Sequence, residues 1–367
     1  RGDEAMTWHF DWRRSWDAVW APGFLAEWER LLISSPHANV YHLPALVRAW
    51  AETHGRALGA APLFGIATGP NGARVLLTFV VTTQRGRHAK RRSLSAAGEG
   101  FFGYHDPLVS ASTVTGIDWS EFWELVRQET AAECDQALLR FVHPERATGP
   151  LTDPSGGASP LLDVSTCRSL DDAFARCSKD HRHETRRLLR RLGDRGPVEL
   201  CAAEPAEAAA ALDDFTDGFL TAYHANWRAR PTGSMLDRPG VLDFARRVIA
   251  EGTRDRWAEY GRMTVNGNAI AWYIGLLHRE SFYLWITTYD SAYQEFSPGR
   301  LLLALIIQRC IGRGVRFVHL LTGDQQYKRE WRPAEQSLRA VRWYAPTLRG
   351  RLLGWYDGRH RESAVPA

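Results

Sequence analysis

The sequence has few of the features that mark a secreted, membrane-spanning or metal-binding chain. Its five cysteines, Cys134, Cys167, Cys177, Cys201 and Cys310, form no Cys-x-x-Cys pair. An odd number scattered over 367 residues is not a disulfide framework, so a reducing, cytoplasmic setting is expected. The longest apolar run near the C-terminus, Leu301 to Ile307, falls far short of the ~20 residues that span a bilayer. No membrane span is expected. The segment opening Arg1-Gly2-Asp3-Glu4-Ala5-Met6 lacks the apolar core of a secretory signal; residues 1–5 are set aside as uninformative, with Met6 a candidate start. His181-Arg182-His183 has no further ligand at metal-binding spacing nearby, so no metal is expected. A large excess of one charge is also missing: 46 Lys+Arg against 42 Asp+Glu gives a net +4, milder than dedicated nucleic-acid binders carry. Such a balance suits small anionic ligands.

What is present describes a globular chain, 44% hydrophobic and 24% charged, long enough for two cores. Apolar residues recur at helical spacing from residue 12 to 33, broken at Pro22-Gly23, and again over 43–50. Strands are expected at 62–67 and 75–81 around a Gly-Pro-Asn-Gly turn, a helix at 119–130 and a strand at 137–142. Pro and Gly concentrate in 144–160, which reads as a linker. Beyond it the pattern predicts a helix at 170–192, a strand at 198–201, and helices at 206–226 and 241–250. Three strands at 257–265, 269–278 and 282–288 follow, the first two joined by Asn266-Gly267-Asn268, a strong hairpin signature. The boundaries expected are an N-terminal domain over 1–155, a C-terminal domain over 160–350 and a tail over 351–367.

The segment that suggests chemistry follows the last of these strands. Ser297 is a good N-cap type and Pro298 suits the first position of a helix over 301–313. The amides there form a candidate anion site, with Gly299 allowing close backbone approach, Arg300 offering a forked cation and Leu301 beginning the helix. Alone, this turn reads as an ordinary capped helix start. A strand over 315–321 and then Thr322-Gly323-Asp324-Gln325-Gln326-Tyr327-Lys328 follow.

The order of strand, Tyr289-Asp290 turn, Ser297-Pro298-Gly299, helix, strand and Gly323-Asp324-x-x-Tyr327-Lys328 resembles the CelD/BcsL-type acetyltransferases, over residues 170 to 335. Gly103-Tyr104-His105-Asp106-Pro107-Leu108 is a weaker similarity to the N-terminal half of the same proteins. The resemblance implies an α/β chain of tandem GNAT-like domains, each a mixed, mostly antiparallel sheet flanked by helices, related to the Fem-type aminoacyl transferases. By it, the C-terminal copy binds acetyl-CoA or another acyl-CoA, and the strand ending near Thr288 splays from the strand 315–321 to admit the pantetheine arm. The N-terminal copy is then a degenerate one. His319 stands where the family usually carries an acidic residue.

Acyl transfer needs an uncharged amine, a polarised carbonyl and an acid for the departing thiolate. Tyr327 is the candidate acid, with a packing tyrosine as the alternative. Candidate bases are Asp290, equally a cap, and His224, His319 and Asp324, for which a helix-end, a structural and a capping role are the simpler readings; a histidine at 319 would titrate near neutrality. Lys328 is expected at the CoA phosphates, with a solvated helix face as the alternative. The Arg-rich 182–195 segment could follow a tRNA backbone, yet Asp180, Glu184 and Asp194 are interleaved as on a solvated helix. The expected activity is acyl transfer to an amine or hydroxyl of a small-molecule or sugar acceptor. A Fem-like aminoacyl-tRNA-dependent transferase and a non-catalytic GNAT-fold binding protein are the alternatives. Acceptor, acyl length and oligomeric state stay open.

Overall fold

Two buried apolar clusters organise the chain into two units, residues 1–157 with 337–367 and residues 158–336. The computed structural model describes residues 8–69, 72–85, 90–110, 116–153, 156–227, 234–321 and 326–362. Each unit is a mostly antiparallel sheet flanked by helices, the architecture expected.

The first unit contains β1 (His9–Arg13), β2 (Ala61–Thr68), β3 (Arg74–Arg85), β4 (Lys90–Ala96), β5 (Leu108–Val109), β6 (Gln136–Val142) and β7 (Thr152–Asp153). Its helices are α1 (Trp16–Val19), α2 (Pro22–Ser34), α3 (Pro44–Trp50) and α4 (Trp119–Glu129). The N-cap carboxylate of Asp118 accepts from the Ser120 and Glu121 amides, starting α4. That helix then buries Trp119, Phe122, Trp123 and Val126, one face at i, i+3, i+4 and i+7. Trp12 begins the expected helix but lies in β1 instead. Phe10 and Trp12 alternate at strand spacing, and the Trp12 ring covers Gly65, where a Cβ would lie 2.4 Å from it. Helical spacing starts only at Trp16.

The Gly103–Leu108 motif is spent on holding this unit together. Asp106 accepts from the His143 amide at 2.9 Å and pairs with Arg146 at 3.2 Å, while its carbonyl meets His42 Nε2 at 2.8 Å. Burial pushes the His42 pKa down to about 4, so its ring stays neutral.

The second unit contains β8 (Ala158–Asp163), β9 (Val198–Ala202), β10 (Ala258–Val265), β11 (Asn268–His278), β12 (Ser281–Tyr289), β13 (Phe317–His319) and β14 (Ala334–Ser337), in the order β14-β8-β13-β12-β11-β10-β9. β12 and β13 run parallel; the pairs β8/β13, β9/β10, β10/β11 and β11/β12 are antiparallel. Helices are α5 (Leu170–Ala175), α6 (Lys179–Gly193), α7 (Ala208–Asp214), α8 (Leu220–Trp227), α9 (Val241–Arg254), α10 (Pro298–Gly312) and α11 (Gln326–Arg329).

The β10/β11 hairpin turns through Asn266 (φ 49°) and Gly267 (φ 80°), the left-handed pair that a two-residue hairpin loop demands. β8 occupies residues read as linker, because Pro160 there is no breaker: its carbonyl accepts from Leu320 N at 2.9 Å. The expected helix over 170–192 is two helices, restarted at Ser178, whose hydroxyl caps the His181 amide at 3.1 Å. The expected helix over 206–226 is likewise divided into α7 and α8, with a π-helical turn at Phe215–Phe219 between them.

α10 buries residues around its whole circumference, Leu301, Leu302, Leu303, Ala304, Ile306 and Ile307 among them, and forms the centre of this core. Its C-terminal turns are tied to β10 by buried Glu259, which accepts from Tyr273 Oη at 2.6 Å, Arg309 Nη2 at 3.0 Å and Arg313.

The chain then adds β15 (Arg339–Tyr344) to the first sheet, between β6 and β7, followed by α12 (Leu348–Glu362). Residues 337–350, read as part of the C-terminal domain, therefore complete the first unit, because Val341 and Trp343 fill its core. Among the described residues no helix is long and apolar enough to cross a membrane.

Candidate functional site

β13 follows β12 for three residues, Ser281 to Phe317, Phe282 to Val318 and Tyr283 to His319, and then departs. Leu320 turns its amide to Pro160, and Leu321 takes a left-handed φ of 56°. β12 continues to Tyr289 with β11 on its other side, so the edge from Leu284 onward opens away from β13. The far end of β12 is pinned by Asn226 on α8, whose Nδ2 donates to Tyr289 O at 2.7 Å and Thr288 Oγ1 at 3.2 Å.

A 3-10 helix, Ser291–Phe296, links β12 to α10. Asp290 caps it, its carboxylate accepting from the Ala292 amide at 2.9 Å. This gives Asp290 the capping role of its two readings.

The helix start departs from expectation at Ser297, which sits at φ 50° and makes no side-chain cap bond. A left-handed residue aims its side chain off the helix entry, and its carbonyl instead takes the Arg300 and Leu301 amides at 3.0 and 3.3 Å. Pro298 holds the first helical position as predicted. The Leu301 side chain is fully buried in the core, and its amide is used by Ser297 O. Arg300 is also committed: its guanidinium meets both oxygens of Glu330, at 2.9 and 2.8 Å, while Glu330 approaches His181 Nδ1 at 3.2 Å. Desolvation lowers the pKa of His181, with Arg300 adding to the effect.

Gly299 and exposed Ser297 are the parts of the turn that face outward. A Cβ on Gly299 would meet nothing within 4 Å, so no neighbour inside the fold requires glycine there. Gly299→Ala is expected to leave the thermal midpoint unchanged or to raise stability by up to about 1 kcal/mol in a melting experiment.

After β13 the chain reaches α11. Tyr327 bonds the Thr287 side chain on the open stretch of β12, and burial raises its pKa, so the phenol is protonated at neutral pH. Lys328 is 7% exposed, with Nζ donating to Leu320 O at 2.7 Å. Burial pushes its pKa down to about 8. A buried ammonium bonded to main chain differs from the solvated phosphate contact expected of it.

His319 stacks on Tyr283, ring centroids 4.3 Å apart at 14°, and burial pushes its pKa down to about 3. A base that weak does not take an ammonium proton at neutral pH, which corrects the expectation of a near-neutral histidine. His319→Phe preserves the stack and is expected to keep activity within about threefold and stability within about 1.5 kcal/mol, measured by turnover and urea unfolding. His224, on α8, lies 3.7 Å from Asp237 and 39% exposed. Asp324 lies outside the described residues.

The open strand edge thus gathers Tyr327 and Lys328 near the β12/β13 divergence. Thr287 and Glu330 are not among the residues expected at the site. Glu330 follows Tyr327-Lys328-Arg329 directly, and an acid so close to a predicted cation site is a usable signal for an ion pair.

Comparison with known proteins adds a domain match and a fold. Residues 179–329 match the family described as an acetyltransferase (GNAT) domain. No curated protein matches the chain. Among solved structures, FemX superposes with a TM-score of 0.58 at 10% identity, covering 86% of this chain and 95% of that one. The C-terminal domain of a putative lysylphosphatidylglycerol synthetase from Agrobacterium fabrum gives 0.53 at 13% identity, covering 91% and 96%. A conserved protein of unknown function from Bacteroides thetaiotaomicron gives 0.51 at 12% identity, covering 87% and 96%. At such identities the likeness is one of fold. The second unit therefore matches a GNAT acetyltransferase domain, within a chain whose fold is similar to that of FemX.

Proposed function

We propose that the protein is an acyltransferase of the CelD/BcsL kind, moving an acetyl or other acyl group from acyl-CoA to an amine or hydroxyl of a small-molecule or sugar acceptor in the cytoplasm. The observation that carries this reading is the departure of β13 from β12 after three residues, beside a helix start whose outward element is a glycine backbone. An extended arm fits a strand edge that has lost its neighbour, and a pyrophosphate fits a turn with no side chain in its way. Acyl-CoA supplies the activated thioester when bound. Ser297 and Gly299 would hold its phosphates, in place of the Arg300 fork that Glu330 occupies.

Tyr327 holds a proton at its hydroxyl, next to Thr287, where a departing thiolate needs one. Lys328 fixes the Leu320 carbonyl where β13 turns away and acts as a positioning residue. Of the base candidates, His224 keeps a half-exposed ring. Asp290 is held by its cap, and Asp324 enters only through the Gly323-Asp324 motif. An acyl-CoA panel with thiol release as the readout, run with amine and amino-sugar acceptors, tests the reading; acceptor-dependent release is expected, and its absence across the panel contradicts it.

One observation favours a second reading, a Fem-like transferase using aminoacyl-tRNA. Lys179, Arg182, His183, Arg186 and Arg190 line one open groove along α6. Arg186 and Arg187 are paired with Asp171 and Glu184, which lessens the field available to a polyanion. Binding of charged tRNA that falls steeply with salt and depends on Arg182 and Arg190 would favour it.

A further inference from the structure

A helix packed on a sheet ordinarily turns its large apolar side chains inward, and α12 leaves four of them in solvent. Leu348, Leu352, Trp355 and Tyr356 fall at i, i+4, i+7 and i+8, one stripe, and are 81, 68, 57 and 56% exposed. The side toward the sheet carries Gly350, Gly354 and Asp357, with half-buried Leu353 beside them. A Cβ at Gly350 would lie 2.2 Å from Ala345 O, and one at Gly354 3.0 Å from the Tyr344 ring. Asp357 accepts from Tyr344 Oη at 2.9 Å and pairs with Arg91. Close approach at the glycines and the half-buried, paired acid fix the rotation of the helix about its axis. The stripe cannot turn inward without breaking both.

Charge on this helix points the same way. Its acid within Leu348–Asp357 is Asp357, used inward, while Arg351 flanks the stripe exposed and Arg349, on the other flank, pairs with Asp135 at 3.3 Å. Leucine and tryptophan beside arginine suit the boundary between acyl chains and anionic headgroups, where the indole and phenol rings have both an apolar and a wet neighbour.

We infer that the exposed Leu348–Tyr356 face of α12 docks the protein on an anionic lipid surface. The test is co-sedimentation of the full chain with vesicles of phosphatidylcholine alone and of phosphatidylcholine mixed with phosphatidylglycerol, roughly three to one. Wild type is expected to bind the mixed vesicles and to release at high salt. The variant Leu348→Ser/Leu352→Ser/Trp355→Ser is expected to bind at least about tenfold more weakly. These side chains are exposed, so circular dichroism and melting should match wild type. Arg182→Glu/Arg190→Glu on α6 should retain binding. The proposal is overturned if wild type does not sediment with mixed vesicles, if the α12 variant binds as wild type does, or if the α6 variant alone loses binding. A concentration-dependent dimer abolished by the α12 variant, without lipid binding, would assign the face to a second copy instead. None of these outcomes depends on turnover.

Discussion

Tyr327→Phe is expected to reduce turnover about 100-fold while leaving stability and acyl-CoA affinity near wild type. The phenol is held protonated by burial and bonded to Thr287 on the open stretch of β12, so the substitution deletes one oxygen and keeps the ring that packs on the core. A group used to protonate a leaving thiolate acts in the chemical step, and its loss should appear in kcat rather than KM. Steady-state thiol release by both proteins, alongside calorimetric binding of CoA, separates the two. Unchanged kcat would return Tyr327 to a packing role, and a matched loss of affinity would make it a binding residue.

A second large effect is expected at Lys328. Lys328→Met fills similar space and removes the bond to Leu320 O, releasing the main chain at the strand departure; turnover should fall at least about tenfold. Stability should rise with pH, in the same direction as for a paired carboxylate but in the alkaline range, because the native pKa is lowered in both cases. The native pKa of about 8 lies below the unfolded value of 10.5, so between them the unfolded chain binds more protons. The cost of burying the ammonium is complete below pH 8 and is relieved as pH rises through 8 toward 10.5. Between pH 7 and 9.5 the wild type should gain about 2 kcal/mol relative to Lys328→Met in urea unfolding. Parallel curves for the two proteins would show that the ammonium is not desolvated.

Features written in local chemistry were legible in the sequence. Asn266-Gly267 demanded a tight hairpin, Pro298 marked the first turn of α10, and the apolar run Leu301–Ile307 matches the burial of that part of the helix on all sides. Features set by partners distant in sequence were not. β8 hides among prolines and glycines because its pairing is supplied by β13, some 150 residues later, and β15 looks like the end of a domain until β6 is beside it. At the site, residue types suggested a pyrophosphate fork and a titrating histidine. Glu330 takes the Arg300 guanidinium, and Tyr283 and burial silence His319. A side chain's partners decide whether its charge is available, and those partners come from other elements.

The donor site is the centre of this account, and titration of acetyl-CoA into the protein by calorimetry tests it most directly. Wild type is expected to bind, and Gly299→Val, whose side chain would project into the space left open at the α10 start, should bind at least about tenfold more weakly with an unaltered melting temperature. No heat of binding from the folded wild type, or equal affinity for the two proteins, would contradict a pyrophosphate seat at Gly299.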